Sequence, residues 1–299
     1  MRLRELAPAA LRESLAKGLI LQTGPFRIRV MSSTDEVFHG LHLLYGDFEI
    51  HGEGYADYHV RVDRVGGLRS YWRPQITFEL DGVHPFLPLP ADHAFASFEW
   101  GLNWCIAGHA HHYLTLHAAV LERNGRAVIL PGDPGAGKST LTAALSLSGF
   151  RLLSDEMTLV DRDDGLLVPL ARPVNLKNNS IAVISAFSKD AVFGQEAHDT
   201  HKGTVAHLKP SQDSVLRAQE KVAPAFVVFP RWSAGAQTVL TPRSKADAFM
   251  HTANHAFNYE VLGRSGYELN AGLIDASECF DFSYSSLPEA IAAFTELLK

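Results

Sequence analysis

Apolar residues in the first part of the chain change spacing several times. Leu3, Leu6, Leu11 and Leu15 recur at helical intervals and predict an amphipathic helix over 4–17. Residues 19–22 and 26–30 alternate as strands do, with Gly24-Pro25 as the turn between them. Ser32, Ser33, Thr34 and Asp35 are helix-capping residues, and they precede a predicted helix reaching Leu44. Alternation returns over 58–65 and 76–80, with Asp81-Gly82 as a turn. Residues 1–90 therefore read as a β-rich α+β N-terminal module with no evident catalytic residue.

Pro88 and Pro90 then punctuate the chain. The stretch 91–112 carries Phe95, Phe98, Trp100, Leu102, Trp104 and Ile106 and predicts a connecting helix packed between two modules. His109, His111 and His112 close it, where the helix dipole favours histidine. A second module occupies 113–299. Residues 114–121 and 127–130 predict strands joined by an Arg123-Asn124-Gly125 turn, and 139–148 a helix ended by Gly149. A buried strand at 150–154 and a hairpin of 157–160 with 166–168 follow. Residues 194–214 are polar, without a clear period, and read as a mobile functional loop. A strand at 225–229 is stopped by Pro230, and 243–257 and 287–298 read as helices.

Between the strand 127–130 and the helix 139–148 lies Gly132-Asp133-Pro134-Gly135-Ala136-Gly137-Lys138-Ser139-Thr140. Gly132, Gly137, Lys138 and Ser139 satisfy the phosphate-loop spacing, and the flanking strand and helix supply its context. Glycines let backbone N–H groups close on phosphate oxygens, and the helix N-terminus adds positive potential. Residues 132–140 are thus the expected nucleotide phosphate cradle, with Lys138 on the terminal phosphates and the Ser139 hydroxyl on Mg²⁺. An ordinary glycine-rich turn is the alternative. The strand 150–154 runs straight into Asp155-Glu156, where phosphoryl-transfer folds keep a metal ligand or a base. Alternation along a strand turns two such carboxylates to opposite faces, so that one meets the metal. A solvated pair of turn acids is the plainer reading.

Composition narrows the function. The 299 residues are 46% hydrophobic, as a globular protein with a core requires. The net charge of −6 argues against a nucleic-acid partner. Cys105 and Cys279 stand far apart, so neither a disulfide framework nor a zinc–thiolate site is implied. His251 and His255 are four apart on a predicted helix but lack the Glu of a zinc-protease motif, and read as ordinary helix residues before a metal pair. The N-terminus has no apolar signal region and no apolar run is long enough for a membrane span, so a soluble, cytoplasmic protein with no membrane partner is expected.

The stretch from Leu116 to Asp161 resembles bacterial HPr kinase/phosphorylase, and more closely its HPr-kinase-related relatives. The resemblance is carried by Leu116-His117-Ala118, Gly132 to Ser139, Gly149-Phe150 and Ser154-Asp155-Glu156, and by the intervals from His117 to Gly132 and from Lys138 to Asp155. It implies an α/β fold, a P-loop kinase domain of the HPr kinase/phosphoenolpyruvate carboxykinase type. It implies ATP and Mg²⁺ as cofactors, Asp155 as general base, Glu156 with Ser139 at the metal, His117 beneath the site, and a possible homo-oligomer. Glu156 stands where the family has Asp, and the family's later phosphorylase signature has no counterpart, so dephosphorylation is not implied. His117, as a lone strand histidine, reads equally well as a packed residue. Arg172, Lys177 and Lys202 are weaker candidates for phosphate charge, each otherwise a surface cation.

The expected activity is ATP-dependent transfer to a hydroxyl, a serine of an acceptor protein or peptide. A small-metabolite kinase and a nucleotide-gated binding protein without transfer are the competing readings. A base at Asp155 favours the two enzymes, since a pure binder needs none there.

Overall fold

The computed structural model describes residues 1–67, 72–133 and 135–299. Pro134, expected in the cradle, lies outside the described residues. The chain is mixed α/β and contains two six-stranded and two three-stranded sheets among the described residues.

The first sheet runs in the order Ile50–His51, Leu19–Thr23, Phe26–Ser32, Tyr58–Arg64, Gln75–Leu80, Leu89–Pro90. Its neighbours are antiparallel except Phe26–Ser32 with Tyr58–Arg64, which are parallel because the helix Asp35–Leu44 intervenes between them. Thr34 caps that helix by accepting from the Val37 N–H. Alternation decides the faces: Ile28, Val30, Val60, Val62, Ile76 and Phe78 enter one core. The helix Ala94–His109 delivers Phe95, Phe98, Leu102, Cys105 and Ile106 to the same core. Met157, Leu159, Leu170 and Val215 join it from later in the chain.

The second sheet runs Arg151–Ser154, Ala118–Arg123, Arg126–Pro131, Pro224–Trp232, Glu278–Tyr284, Val239–Pro242. Its three central strands are parallel. Both faces are covered, so the strands are apolar almost throughout. Val128 and Leu130 face the helices Lys138–Leu147 and Leu287–Leu297, while Ala127 and Ile129 face Lys245–Asn254 and Arg264–Asp275.

Three sequence expectations change. The segment 114–121 is not one strand. It breaks at His117 into Tyr113–Leu116, which pairs with Thr158–Asp161, and Ala118–Arg123, which enters the second sheet. The His117 N–H is held instead by the His255 carbonyl at 2.8 Å. Residues 194–214 are not a structureless loop. They form Ala197–Thr200, Gly203–Leu208 and the start of a short helix, Gln212–Leu216; Gly203–Leu208 pairs with Val174–Lys177. Pro230 does not stop its strand, which continues to Trp232. Beyond Val227 that strand pairs only with Glu278–Tyr284, and a proline is tolerated along a free edge.

Candidate functional site

The Gly132–Thr140 loop leaves the central strand Arg126–Pro131 and enters the helix Lys138–Leu147, the topology that presents backbone N–H groups outward. Gly137 caps the helix with φ +87°, a left-handed value that glycine adopts without cost. A Cβ there would lie 2.8 Å from the Tyr284 hydroxyl and 2.9 Å from the Trp232 Cβ. The Tyr284 hydroxyl donates to the Gly137 carbonyl at 3.2 Å, and the Trp232 backbone N–H to the Ala136 carbonyl at 3.0 Å, so the two residues brace the end of the loop.

The loop opens onto a cleft of about 840 Å³. Lys138, Ser139, Thr140, His117, Asp155 and Glu156 all line it, as do Gly132, Asp133, Gly135 and Gly137. The Lys138 ammonium is buried and has no hydrogen-bond partner among the described residues. Burial lowers its pKa, opposed by the charges of Asp155 and Glu156.

The strand Arg151–Ser154 ends before the acid pair. A turn follows, held by the Met157 N–H donating to the Ser154 hydroxyl at 3.0 Å. The turn removes the strict strand alternation expected of Asp155 and Glu156, and both carboxylates reach one cleft. Asp155 is buried; one of its oxygens accepts the Asn175 N–H at 2.7 Å and the other has no partner among the described residues. Burial first, then the neighbouring Glu156, pushes its pKa up to about 6. Glu156 is half-buried. It accepts from the Asn103 side-chain amide at 2.8 Å and stands 4.0 Å from His117 Nε2. Burial, then Lys138, pushes His117 down to about 4, so its ring is neutral near pH 7.

The three weaker candidates separate. Lys177 and Lys202 line the cleft, with Lys202 lying 5.4 Å over the Trp100 ring. Arg172 is not a surface cation. It is buried, pairs with Glu99 at 3.2 Å, and donates to Asn103, because a guanidinium taken out of water must be matched by charge and acceptors. Asp133 is exposed, and its carboxylate meets His255 Nε2 at 3.0 Å.

Sequence reasoning missed Asn103, Asn175, Trp232 and Tyr284. Each reaches the site from a distant element, and no local pattern marks it. Ser139, Asp155 and Glu156 present hydroxyl and carboxylate oxygens around one cleft, and an Asp155 oxygen lacks a partner; this hard-oxygen set fits Mg²⁺.

No family model matches the chain, and no curated protein does. Among solved structures, the Hpr(Ser) kinase/phosphatase from Coxiella burnetii is similar at 15% identity and a TM-score of 0.27, covering 61% of this chain and 96% of that one.

Proposed function

We propose that the chain is an ATP-dependent kinase that transfers a phosphoryl group to a hydroxyl, a serine of an acceptor protein or peptide. One observation carries the reading: a buried ammonium without a hydrogen-bond partner among the described residues, Lys138, shares a cleft with a buried carboxylate, Asp155, at the mouth of a glycine-rich loop. Burying a lone ammonium is costly, and a bound triphosphate would offset that cost.

Residues 132–140 act as the phosphate loop, and their N–H groups orient the polyphosphate. Ser139 and Glu156, with Asp155 beside them, would hold Mg²⁺, which would spread the charge of the phosphates. Asp155 accepts the hydroxyl proton. A carboxylate raised to about 6 remains mostly ionised at neutral pH and is a better base than an ordinary aspartate. His117, neutral and 4.0 Å from Glu156, adds no positive charge beside the metal ligands. Lys177 and Lys202 add positive potential across the cleft from the loop.

The test uses γ-labelled ATP with Mg²⁺ and a lysate of the source cell. Label on a protein band supports the serine kinase, and label on a small molecule supports the metabolite kinase. No transfer by a chain that binds Mg-ATP leaves the nucleotide-gated binder. Lys138→Ala is expected to weaken ATP binding about ten- to hundredfold, the worth of a charge-assisted contact. Unchanged affinity by calorimetry would overturn the phosphate-loop role.

A further inference from the structure

The helix Lys245–Asn254 ends against the glycine-rich loop, and there three side chains meet that the transfer chemistry does not use. His251 and His255 stack with ring centroids 4.3 Å apart and planes 9° from parallel. Asp133, from the loop, approaches His255 Nε2 at 3.0 Å. One ligand atom from each residue lies within 4.8 Å of the other two.

The hydrogen bonding leaves this group unfinished. His255 Nδ1 faces the His251 carbonyl at 2.9 Å, and a carbonyl only accepts, so Nδ1 carries the ring proton. In the neutral ring the Nε2 lone pair then points at a carboxylate, which also only accepts. Either a second proton on His255 or a bound metal ion is needed to complete that contact. A second proton on His255 would satisfy that pair but do nothing for His251, whose Nε2 is shielded from solvent and has no partner among the described residues. A metal ion serves all three. In a tetrahedral zinc site with bonds of about 2.0–2.2 Å, ligand atoms stand roughly 3.3–3.6 Å apart, within reach of the present spacing after small side-chain rotations. The His251 carbonyl on His255 Nδ1 is the orienting bond that metal-bound histidines ordinarily have.

We propose that His251, His255 and Asp133 form a binding site for a divalent transition metal of the zinc class. The donor set, two imidazoles and a carboxylate, differs from the all-oxygen set in the cleft and selects a softer ion. Because Asp133 belongs to the loop and the histidines to the helix end, the bound ion ties the loop to that helix. The His255 carbonyl already holds the His117 N–H, so the same helix end touches the site twice.

The experiment titrates the full-length, metal-stripped chain with Co²⁺, read by visible d–d absorption, and with Zn²⁺, read by calorimetry. Expected is one tight equivalent with the absorption of a low-symmetry nitrogen- and oxygen-ligated ion. Asp133→Asn and His251→Ala should each weaken it at least about tenfold, as loss of a ligand does. Asp133 is exposed, so its variant is expected to fold, and circular dichroism checks both. Absence of stoichiometric binding to the wild-type chain, or undiminished binding in both folded variants, overturns the proposal. Neither readout involves turnover, so failure here leaves the kinase reading to its own test.

Discussion

Asn103 donates its side-chain amide to Glu156 at 2.8 Å, while its carbonyl oxygen accepts from Arg172. One residue of the helix Ala94–His109 thereby links a carboxylate of the cleft to a buried chain of charge. Beyond Arg172 come Glu99 and then Tyr45, whose hydroxyl bonds Glu99 inside the first core. The first core, at the end of the helix Asp35–Leu44, and the cleft are therefore joined by a chain of polar contacts.

Asn103→Ala breaks this link at its exposed end. Glu156 loses the bond that fixes its rotamer, and Arg172 loses an acceptor. The expected result is a several-fold rise in the Mg²⁺ needed for half-maximal transfer, and a stability loss of roughly 1.5–3 kcal/mol for hydrogen bonds to charged groups. Metal titrations of turnover beside urea unfolding would check it; an unchanged Mg²⁺ profile would show that Glu156 needs no positioning.

Asp155→Asn should trade activity for stability. The folded carboxyl titrates at about 6, above its unfolded value near 3.9. The folded state thus holds an extra proton between about pH 4 and 6, and the stability this supplies is lost as pH rises through that window. At pH 7 the ionised, buried group costs up to about 3 kcal/mol. The amide variant should melt higher than wild type at pH 7 and show no gain below pH 4. Its transfer rate should fall about a hundred- to ten-thousandfold. Near-normal turnover would remove Asp155 from the chemistry.

His207 works in the opposite pH direction. It is buried, edge-on to Phe95 at 5.3 Å, and burial, then Arg172, pushes its pKa down to about 3. Between that value and about 6.5 the unfolded chain binds a proton the folded one refuses, so stability is lost as pH falls through this range. From pH 7 to 5 the loss should be about 2 kcal/mol from this group alone. His117 adds to it down to its own value of about 4. Denaturation curves at several pH values should show a shallower acid slope in His207→Gln; an identical slope would mean another group sets it.

A chain beginning at Ala91 should fail to stay soluble. Phe95, Phe98, Leu102, Cys105 and Ile106 are each 6% exposed or less, and they are buried against the sheet formed by residues 19–90. Removing that sheet exposes a contiguous apolar face. Size-exclusion chromatography of the truncated chain is the measurement, and a monodisperse monomer that binds Mg-ATP would contradict it.

What the sequence made legible was local. Thr34 as a cap, Asn124-Gly125 as a turn with both φ positive, and the strand–loop–helix around Gly132 each depend on neighbours within a few residues. What it hid depends on distant partners. The strand Val174–Lys177 is recognisable only beside Gly203–Leu208, and a polar stretch such as 194–214 looks unstructured until that pairing is known. Residues 264–275 and 278–284, given no assignment from sequence, are the helix Arg264–Asp275 and the strand Glu278–Tyr284. The same division runs through the site. That Lys138, Asp155 and Glu156 share one cleft follows from their spacing, whereas Asn103, Asn175 and the meeting of Asp133 with His255 arise from chain segments that only the fold brings together.

Gly137, Trp232 and Tyr284 are separated widely in sequence yet leave one another no room for a side chain at position 137. Their evolution is therefore coupled. Alanine at Gly137 would meet the Tyr284 hydroxyl and the Trp232 Cβ, an atom that every residue but glycine carries, and the left-handed backbone resists it as well. In descendants of this gene glycine should persist at 137 wherever a hydroxyl-bearing tyrosine stands at 284, whatever the side chain at 232. The record of substitution at position 137 is thus written by residues near the far end of the chain.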